Sequence, residues 1–348
     1  MKNKKNALVV LDKFIEDSLY NKEHGYYMKK NPFGGSGDFI TAPNISVLFS
    51  EMIAIWVISF WEKLNCPKQF NLIELGAGNG EMMRVLVRTF SKFPKFKNSC
   101  KINILEKSEL LQRIQKTNIK DEKIKWLNNL NELNNFPCIF IANEFFDALP
   151  IKQFLKKEKK WYERYVKFNN DKKLEYLDVP FNMQKFEKKI KFKISYNQNF
   201  IEYSPLATKY LKAIIKKIKL NNGGILIIDY AYLDKEMKNT LQAVSKHKYC
   251  DVLKGFRNSD ITYNLSFNLI NKIIKKLGPC LSLSTTQKKF LTKLGIMDRA
   301  EILSKNMPFS QKADIYFRIK RLIDESQMGD LFKVMFITNF KNKFKLGF

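Results

Sequence analysis

Residues 71–90, "NLIELGAGNGEMMRVLVRTF", combine an apolar run, three closely spaced glycines and a second apolar run at helical spacing. This succession is typical of a strand, a tight loop and a helix. Gly76, Gly78 and Gly80 form G-x-G-x-G, which differs from the dinucleotide fingerprint G-x-G-x-x-G by one residue of spacing. Glycine lets the backbone come close to a ligand, and the free N–H groups of the following helix can receive a carboxylate. The stretch therefore predicts a ligand-binding loop.

Two acidic residues narrow the choice of ligand. Glu106 ends the next predicted strand, where a carboxylate can accept both hydroxyls of a ribose. Glu74 stands just before the glycines, where dehydrogenases carry an apolar residue, and an acid there can hold an amino group or a loop. The pair favours S-adenosylmethionine over a nicotinamide dinucleotide, although two ordinary strand-end charges would give the same pattern. The sequence contains neither a G-x-x-x-x-G-K-[ST] phosphate loop nor a G-x-S-x-G nucleophile turn, so methyl transfer remains as the predicted chemistry.

Five short apolar runs, each bounded by turn signals, are predicted strands that alternate with helices. They lie at residues 70–75, 101–106, 123–127, 138–144 and 223–230. This alternation predicts a doubly wound, Rossmann-like α/β core with a parallel sheet. Residues 159–181 instead alternate apolar and polar residues around "NND", which predicts an inserted antiparallel hairpin. Ser204 is a predicted N-cap for a helix before the fifth strand, and residues 328–340 predict a last strand that returns to the sheet edge.

Composition excludes several classes of protein. With 348 residues, 45% of them hydrophobic, the chain is predicted to be globular. The net charge of +28 comes from lysines spread along the whole sequence rather than from one basic stripe, so it indicates a solvated face and only weakly favours an acidic partner. Five separated cysteines and two histidines do not form a metal-binding pattern, and no metal is predicted. The apolar run 47–61 is too short to span a bilayer, and the N-terminus resembles neither a signal nor a transit peptide. A cytoplasmic protein with no membrane insertion is expected.

The fourth predicted strand ends in "IANEFFDALP", residues 141–150, and this segment carries the predicted catalytic residues. Ligands of open α/β sheets bind beyond the carboxyl ends of the strands, so Asn143, Glu144 and Asp147 are expected to face the methyl donor. Two carboxylates beside two phenylalanines suit a cation, and arginine needs acids that orient its guanidinium and take a proton. The alternative is an N-cap pair, Asn143 and Asp147, for a following helix.

Several segments together resemble a known family. They include "GYYMKKNPFGGSGDFITAPNISVLFSE", "IELGAGNGEMM", "ILEKSELLQRIQ", "IANEFFDALPIKQF" and "GGILIIDYAY", and with "SDITYNLSF" and "FLTKLGIMDRA" they cover nearly the whole chain in order. The chain is similar to the MidA-like methyltransferases, a family that includes the mitochondrial respiratory complex I assembly methyltransferase. Ala77, Ala231, Asn264 and Ser266 depart from the common family pattern, whereas the glycines and Glu144 follow it. The resemblance implies S-adenosylmethionine-dependent arginine methylation of a protein client, which for the mitochondrial member is a complex I subunit.

The predicted site has two parts. Glu144, Asp147 and Asn143 form the predicted catalytic group. The predicted cofactor-binding residues are Thr41, Pro43, Glu74, Gly76, Gly78, Gly80, Glu106, Lys107, Leu127, Asn128 and Asn143. The segment "GDFITAPNIS", residues 37–46, is interpreted either as a lid over the cofactor or as a plain loop before a core helix. Gly34, Gly35 and Gly37 permit a folded loop there, and Thr41 or Ser46 is expected to cap the helix.

The predicted domain organisation follows from these assignments. Residues 1–65 form an N-terminal helical cap and lid; residues 66–150, 200–235 and 275–348 form the methyltransferase core; residues 151–199 and 236–274 are inserted α+β elements on the acceptor side. The expected partner is a protein client that presents an arginine, and DNA is not expected. An RNA or small-molecule methyltransferase, or an assembly chaperone that keeps the fold without chemistry, are the alternatives, and the sequence does not decide whether a homodimer forms.

Overall fold

The computed structural model describes residues 7–34, 37–121, 123–170, 173–339 and 341–348. Some parts of the sequence predictions lie outside these ranges: residues 1–6 of the predicted cap, Gly35 in the glycine-rich loop, residues 171–172 of the predicted hairpin, and Phe340 at the end of the predicted last strand. The other predicted elements and site residues can be located in the fold.

The secondary structure begins with β1 (Leu8–Val10), α1 (Leu11–Tyr20), α2 (Tyr26–Lys29), α3 (Ala42–Ile45), α4 (Val47–Lys63), β2 (Phe70–Leu75), α5 (Glu81–Phe90), α6 (Pro94–Ser99), β3 (Cys100–Leu105), α7 (Glu109–Ile119), β4 (Lys125–Leu127), β5 (Cys138–Asn143), β6 (Lys152–Lys157), β7 (Lys160–Phe168) and β8 (Leu174–Phe181). It continues with α8 (Met183–Ile190), β9 (Phe200–Tyr203), α9 (Pro205–Asn221), β10 (Gly223–Tyr232), β11 (Gln242–Ser245), β12 (Lys248–Cys250), β13 (Asp260–Thr262), β14 (Leu265–Ser266), α10 (Phe267–Leu277), β15 (Cys280–Thr286), α11 (Gln287–Lys293), α12 (Ile296–Ser304), α13 (Phe309–Ile323), α14 (Met328–Leu331) and β16 (Phe332–Asn339). A short 3₁₀ helix spans Leu130–Glu132.

The chain forms two compact units, each assembled from three segments. Unit 1 comprises Met1–Lys30, Phe146–Lys212 and Tyr232–Gly278, and unit 2 comprises Asn31–Phe145, Ala213–Ala231 and Pro279–Phe348. These boundaries differ from the predicted division into a cap, a core and inserted elements, which stays a prediction.

Unit 2 is built on one mixed sheet with the strand order β15-β16-β10-β5-β2-β3-β4. The strands β4, β3, β2, β5 and β10 pair in parallel. Every residue of β2 and β5 is buried, as expected for strands covered on both faces. The predicted doubly wound α/β core is therefore confirmed, and the strand predicted at 70–75 is matched residue for residue.

The order of the strands reverses at the centre of this sheet. From β2 the chain proceeds outward through β3 to β4, and β5 then returns to the other side of β2. Such a reversal leaves a crevice at the carboxyl ends of the two central strands, here β2 and β5.

The last strand corrects one sequence prediction. β16 is antiparallel to β10, but it lies inside the sheet because β15 pairs with its other side and forms the edge. The prediction that residues 328–340 reach the sheet edge is therefore wrong. The sequence of β15, "CLSLSTT", carries too many hydroxyl side chains to give an apolar strand signal. Its residues are only half-buried, apart from Ser284, which is exposed.

Helix α4 is apolar around most of its circumference and packs into the core of unit 2. Ser46 caps it, because its Oγ accepts a hydrogen bond from the Leu48 N–H at 3.3 Å. Of the two capping residues proposed for this loop, Ser46 is confirmed in that role, whereas the Thr41 hydroxyl donates to Asn44 Oδ1 at 3.1 Å. None of the helices within the described ranges is long and apolar enough to cross a membrane.

Unit 1 contains a second sheet, in which β7 pairs with β1, β6 and β8, and β6 also pairs with β9. The pairing of β7 with β8 is antiparallel from Trp161↔Phe181 to Phe168↔Leu174, so the predicted inserted hairpin is confirmed. A smaller sheet has the order β12-β11-β13. Ser204 caps α9 as predicted, since its Oγ accepts from the Ala207 N–H at 3.1 Å.

An ion pair triad fixes the first helix of unit 1 to its main sheet. Lys152 Nζ lies 2.7 Å from Glu163 Oε1 and 3.1 Å from Asp12 Oδ1, and all three side chains are at most one fifth exposed. We expect Lys152→Met to lower the free energy of unfolding by roughly 3 kcal/mol, because it leaves two largely buried carboxylates without their cation. Urea unfolding followed by circular dichroism measures the change.

Lys13→Met is the matched control. Lys13 Nζ is also 2.7 Å from a carboxylate, Glu16 Oε2, but both side chains are well exposed, so its loss should cost no more than about 0.5 kcal/mol. Equal losses in the two variants would contradict a stabilising role for the triad.

Candidate functional site

A cavity opens in unit 2 where β2 and β5 end, at the reversal of strand order. It is lined by Phe33, Thr41, Pro43, Glu74, Gly76, Ala77, Gly78, Asn79, Met82, Asn143 and Glu144. Seven of the residues predicted from sequence therefore meet in one place: Thr41, Pro43, Glu74, Gly76, Gly78, Asn143 and Glu144. Because the glycine loop follows β2 and the acidic segment follows β5, the parallel pairing of these strands brings the two motifs together.

The glycine loop requires glycine at two positions, Gly76 and Gly78. Gly76 has φ +65°, and a Cβ there would lie 2.8 Å from Cδ2 of Phe145. Gly78 has φ +54°, and a Cβ there would lie 3.2 Å from the ring of Phe33. L-residues with side chains are strained at such positive φ, and the space beside each glycine is already filled. The loop can therefore present bare backbone to the cavity only because both positions lack a side chain.

Two buried oxygen atoms point to a polar ligand. Glu74 and Asn143 are at least nine-tenths buried, and neither Glu74 Oε2 nor Asn143 Oδ1 has a hydrogen-bond partner among the described residues. Burial, and secondarily the charge of Glu106, raise the pKa of Glu74 to about 8. Leaving buried polar atoms unsatisfied is costly, so such atoms in a cavity indicate a ligand that carries hydrogen-bond donors or positive charge.

Glu106 follows β3 directly and is held by the neighbouring loop and helix. Its Oε1 accepts from the Ser108 N–H at 2.9 Å, and its Oε2 accepts from Gln115 Nε2 at 3.1 Å. Gln115 Nε2 also donates to the Gly78 carbonyl at 2.9 Å, so one amide group joins the acid to the glycine loop. Burial raises the pKa of Glu106, and these hydrogen bonds oppose that rise.

Glu144 has an uncommon backbone conformation at the end of β5. Its φ is +50°, and its N–H donates to the Ile228 carbonyl on β10 at 2.9 Å. Asn143 Nδ2 donates to Glu144 Oε1 at 3.1 Å and so orients the carboxylate. Non-glycine residues with positive φ cost free energy and concentrate at functional sites. The element that follows is the strand β6, so the alternative in which Asn143 and Asp147 cap a helix is wrong.

Several predicted site residues do not line the cavity. Asp147 belongs to unit 1, where it is 4% exposed and its carbonyl accepts from the Tyr263 N–H. Leu127 is buried at the end of β4, and Asn128 is exposed with its N–H bonded to Glu132 Oε1 at 2.9 Å. The other three are Gly80, which precedes α5, the exposed Lys107, and Glu106.

The loop before α3 forms one wall of the cavity. Phe33 and Phe39 form a β-bridge, and their rings meet edge to face with centroids 5.1 Å apart. The Phe33 ring reaches the glycine loop at Gly78. The cavity encloses about 40 Å³, which suffices for water molecules but not for a nucleoside, so a larger ligand must extend past its mouth or displace Phe33.

Five residues of this site were not predicted from the sequence: Phe33, Ala77, Asn79 and Met82, which line the cavity, and Gln115, which braces the loop. Ala77, Asn79 and Met82 lie within or directly after the glycine loop, so including every residue of the loop would have found them. Phe33 stands in the segment "NPFGGSGDF", but nothing in that segment indicates the glycine loop as its contact. Gln115 is one of two glutamines in "LLQRIQ", and no local pattern separates them.

Comparisons with known proteins agree with this geometry. The model of a family described as S-adenosyl-L-methionine-dependent methyltransferases matches residues 52–283. The mitochondrial protein arginine methyltransferase NDUFAF7 of Xenopus tropicalis is 28% identical over 95% of this chain and 83% of its own. The human protein of the same name is 26% identical over 95% of this chain and 80% of its own. The predicted cytoplasmic location stays a prediction, since these relatives are named as mitochondrial.

A solved structure supports the fold. The crystal structure of a protein from Burkholderia thailandensis, described as a methyl transferase and bound to S-adenosyl-homocysteine, is similar to this fold. The two superpose with a TM-score of 0.81 and 22% sequence identity over 98% of this chain and 90% of that one. At this identity the likeness establishes the class I methyltransferase fold that the sequence motifs predicted. Since the family model covers more than half of the sequence, the chain belongs to the family of S-adenosyl-L-methionine-dependent methyltransferases, and S-adenosyl-L-methionine is its cofactor.

Proposed function

We propose that the protein transfers a methyl group from S-adenosylmethionine to an arginine side chain of a protein client. The observation that carries this proposal is the position of the Glu144 carboxylate, which follows β5 and lines the same cavity as the glycine loop. The names of the NDUFAF7 relatives, which call them protein arginine methyltransferases, favour arginine as the acceptor. A respiratory complex I subunit as the client follows from the resemblance to the MidA-like family.

The residues of the cavity fit the donor. Glu74 Oε2 and Asn143 Oδ1 offer two buried acceptors for its ammonium group. The N-terminal end of α5 suits its carboxylate, and Glu106, held in place by Gln115, suits the ribose hydroxyls. When bound, the donor supplies a methyl group on a positively charged sulfur. Gly76 and Gly78 let the loop follow its positive-φ path between the rings of Phe145 and Phe33.

Glu144 is the proposed acceptor-side base. Its carboxylate, oriented by Asn143 Nδ2, pairs with the guanidinium of the client arginine and points one nitrogen toward the donor methyl group. It takes the proton that this nitrogen loses as the new bond to carbon forms. Asp147, only three residues further along the chain, is proposed as the second acid for the same guanidinium, and this assignment rests on its place in the sequence.

The first test of the donor site is Gly78→Ala. We expect S-adenosylmethionine affinity to fall by at least about tenfold, because a methyl group at φ +54° pushes against Phe33 and shifts the loop from its conformation. Isothermal titration calorimetry measures the affinity.

Gly295→Ala is the matched control. Gly295 precedes α12 with φ +80°, and a Cβ there also meets its nearest atom at 3.2 Å, a carboxylate oxygen of Asp298 in the first turn of that helix. Both variants should lose similar stability, roughly 1 kcal/mol, whereas only Gly78→Ala should lose donor affinity. Unchanged donor affinity in Gly78→Ala would place the donor elsewhere.

The raised pKa of Glu74 predicts proton release on donor binding. Near pH 7 a carboxyl group with a pKa of about 8 is mostly protonated, and an ammonium group beside it favours the ionised form. We expect binding at pH 7 to release up to about one proton, and the release to fade as the pH rises beyond 8 because Glu74 is then already ionised. Calorimetry in buffers of different ionisation enthalpy counts the protons.

Glu74→Gln provides the control. This variant should abolish the proton release. It should also flatten the pH dependence of stability between pH 4.5 and about 8. In that range the folded wild type keeps a proton on Glu74 that the unfolded chain loses, so the free energy of unfolding of the wild type declines as the pH rises. Proton release that persists in Glu74→Gln would assign it to another group.

Glu144→Gln tests the chemistry. We expect methyl transfer to arginine-containing peptides of complex I subunits to fall by roughly two powers of ten or more, because the amide keeps the shape but cannot take the proton. Donor affinity should stay within about twofold, since the glycine loop and Glu106 are unchanged. Transfer of a labelled methyl group, followed by amino-acid analysis, measures the rate.

Glu109→Gln, which changes an exposed acid at the start of α7, is the matched control and should keep the wild-type rate. A wild-type rate in Glu144→Gln would remove Glu144 from the mechanism. Methylation of RNA but not of peptides would favour the RNA methyltransferase, and rescue of client assembly by both proteins without any methylation would favour the chaperone.

A further inference from the structure

Helix α13 of unit 2 presents aromatic side chains to solvent. Phe309 is 85% exposed, Phe317 is 72% exposed and Tyr316 is 37% exposed. Together with the exposed Ala313 they lie on one side of the helix, because residues three, four or seven positions apart are neighbours on a helix surface. We call Phe309, Ala313, Tyr316 and Phe317 the outer ridge.

The opposite side of α13 is anchored in the fold. Ile319 and Leu322 are at most 1% exposed and belong to the core of unit 2. Arg318 Nη1 donates to the Ile45 carbonyl at 3.2 Å, and its Nε donates to Asp314 Oδ2 at 2.7 Å. The helix therefore cannot roll inward to bury the outer ridge without giving up core packing and these hydrogen bonds. Exposure of the rings is a consequence of the native packing.

Positive charge accompanies the outer ridge. Lys312, Lys320 and Arg321 lie on the same helix, and Lys305 precedes it; none of these four has an ion-pair partner within the described part of the chain. The acid nearest the middle of the helix, Asp314, is paired with Arg318. The preceding helix α12 packs against α13 and exposes a further aliphatic residue, Ile302, at 69%.

We propose that the outer ridge binds the surface of a bilayer that contains anionic phospholipids. Aromatic side chains insert at the boundary between headgroups and acyl chains, and lysines and arginines beside them bind the anionic headgroups. A second copy of the chain fits the surface poorly, because it would place the same cations opposite one another and each copy carries a net charge of +28. The contact is one of a helix lying on the membrane, and it does not depend on the proposed arginine methylation.

Sedimentation with lipid vesicles tests the proposal. The wild-type protein should bind vesicles that contain about 30% phosphatidylglycerol and should bind pure phosphatidylcholine vesicles much more weakly. Binding to the anionic vesicles should weaken between about 0.1 and 0.5 M salt, because screening shortens the reach of the headgroup charge.

Two sets of variants separate the rings from the charges. Phe309→Ser combined with Phe317→Ser should lower the partition coefficient by about tenfold or more, because two rings no longer leave water. Replacing Lys312, Lys320 and Arg321 by Gln should lower it by about fivefold for each residue. Tyr196→Ser combined with Tyr249→Ser is the matched control, since these rings are 72% and 78% exposed outside the ridge, and it should bind as the wild type does.

Three results would overturn the proposal. The first is a wild-type protein that does not bind anionic vesicles. The second is a ridge variant that binds them as tightly as the control while its thermal unfolding is unchanged. The third is a wild-type dimer in analytical ultracentrifugation that Phe309→Ser with Phe317→Ser converts to a monomer, which would assign the ridge to an interface between copies of the chain.

Discussion

The chain leaves the central strand β2 through a left-handed turn at Gly76 and Gly78, and the remaining parts of the site are arranged around that turn. The backbone can take this path only without side chains, because Phe145 stands against the first glycine and Phe33 against the second. Gln115 holds the turn from α7 through the Gly78 carbonyl, and Leu105 holds it from β3 by accepting the Gly76 N–H at 2.9 Å. The bare loop is thus fixed in place by both neighbouring elements before any ligand binds. Preorganisation of this kind lowers the ordering cost of binding.

The polar groups of the cavity carry a free-energy cost in the absence of ligand. Glu74 is buried with one oxygen unsatisfied, Asn143 is in the same condition, and Glu144 holds a strained backbone conformation. The fully buried strands β2 and β5 and the mostly buried strand β10 offset this cost, because their packing fixes the strand ends that carry the site. In α/β enzymes the buried parts of the parallel strands stabilise the fold, whereas the polar residues at their carboxyl ends bind the ligands.

Much of the fold was predictable because its signals are local. The strand at Phe70–Leu75, the antiparallel hairpin of β7 with β8, and the Ser204 cap each follow from residues adjacent in sequence. The placement of Glu74 and Glu144 in one site was also predictable, because neighbouring parallel strands end at the same edge of a sheet. The role of Gln115 could not be read, because its contact with Gly78 joins residues 37 positions apart. The inner position of β16 likewise depends on β15, whose hydroxyl-rich sequence gives only a weak strand signal.

The position of β16 also bears on how the protein is synthesised. Residues 332–339 must lie between β10 and β15 before the sheet of unit 2 is complete. On the ribosome, the edge of β10 that pairs with β16 therefore stays without this partner while about a hundred further residues are synthesised. At ordinary rates of elongation this synthesis takes several seconds or more. The unpaired backbone N–H and C=O groups along the edge of a mostly apolar strand are a template for wrong pairing. The nascent chain is consequently most exposed to aggregation, and most in need of chaperones, in the interval between the emergence of β10 and that of β16.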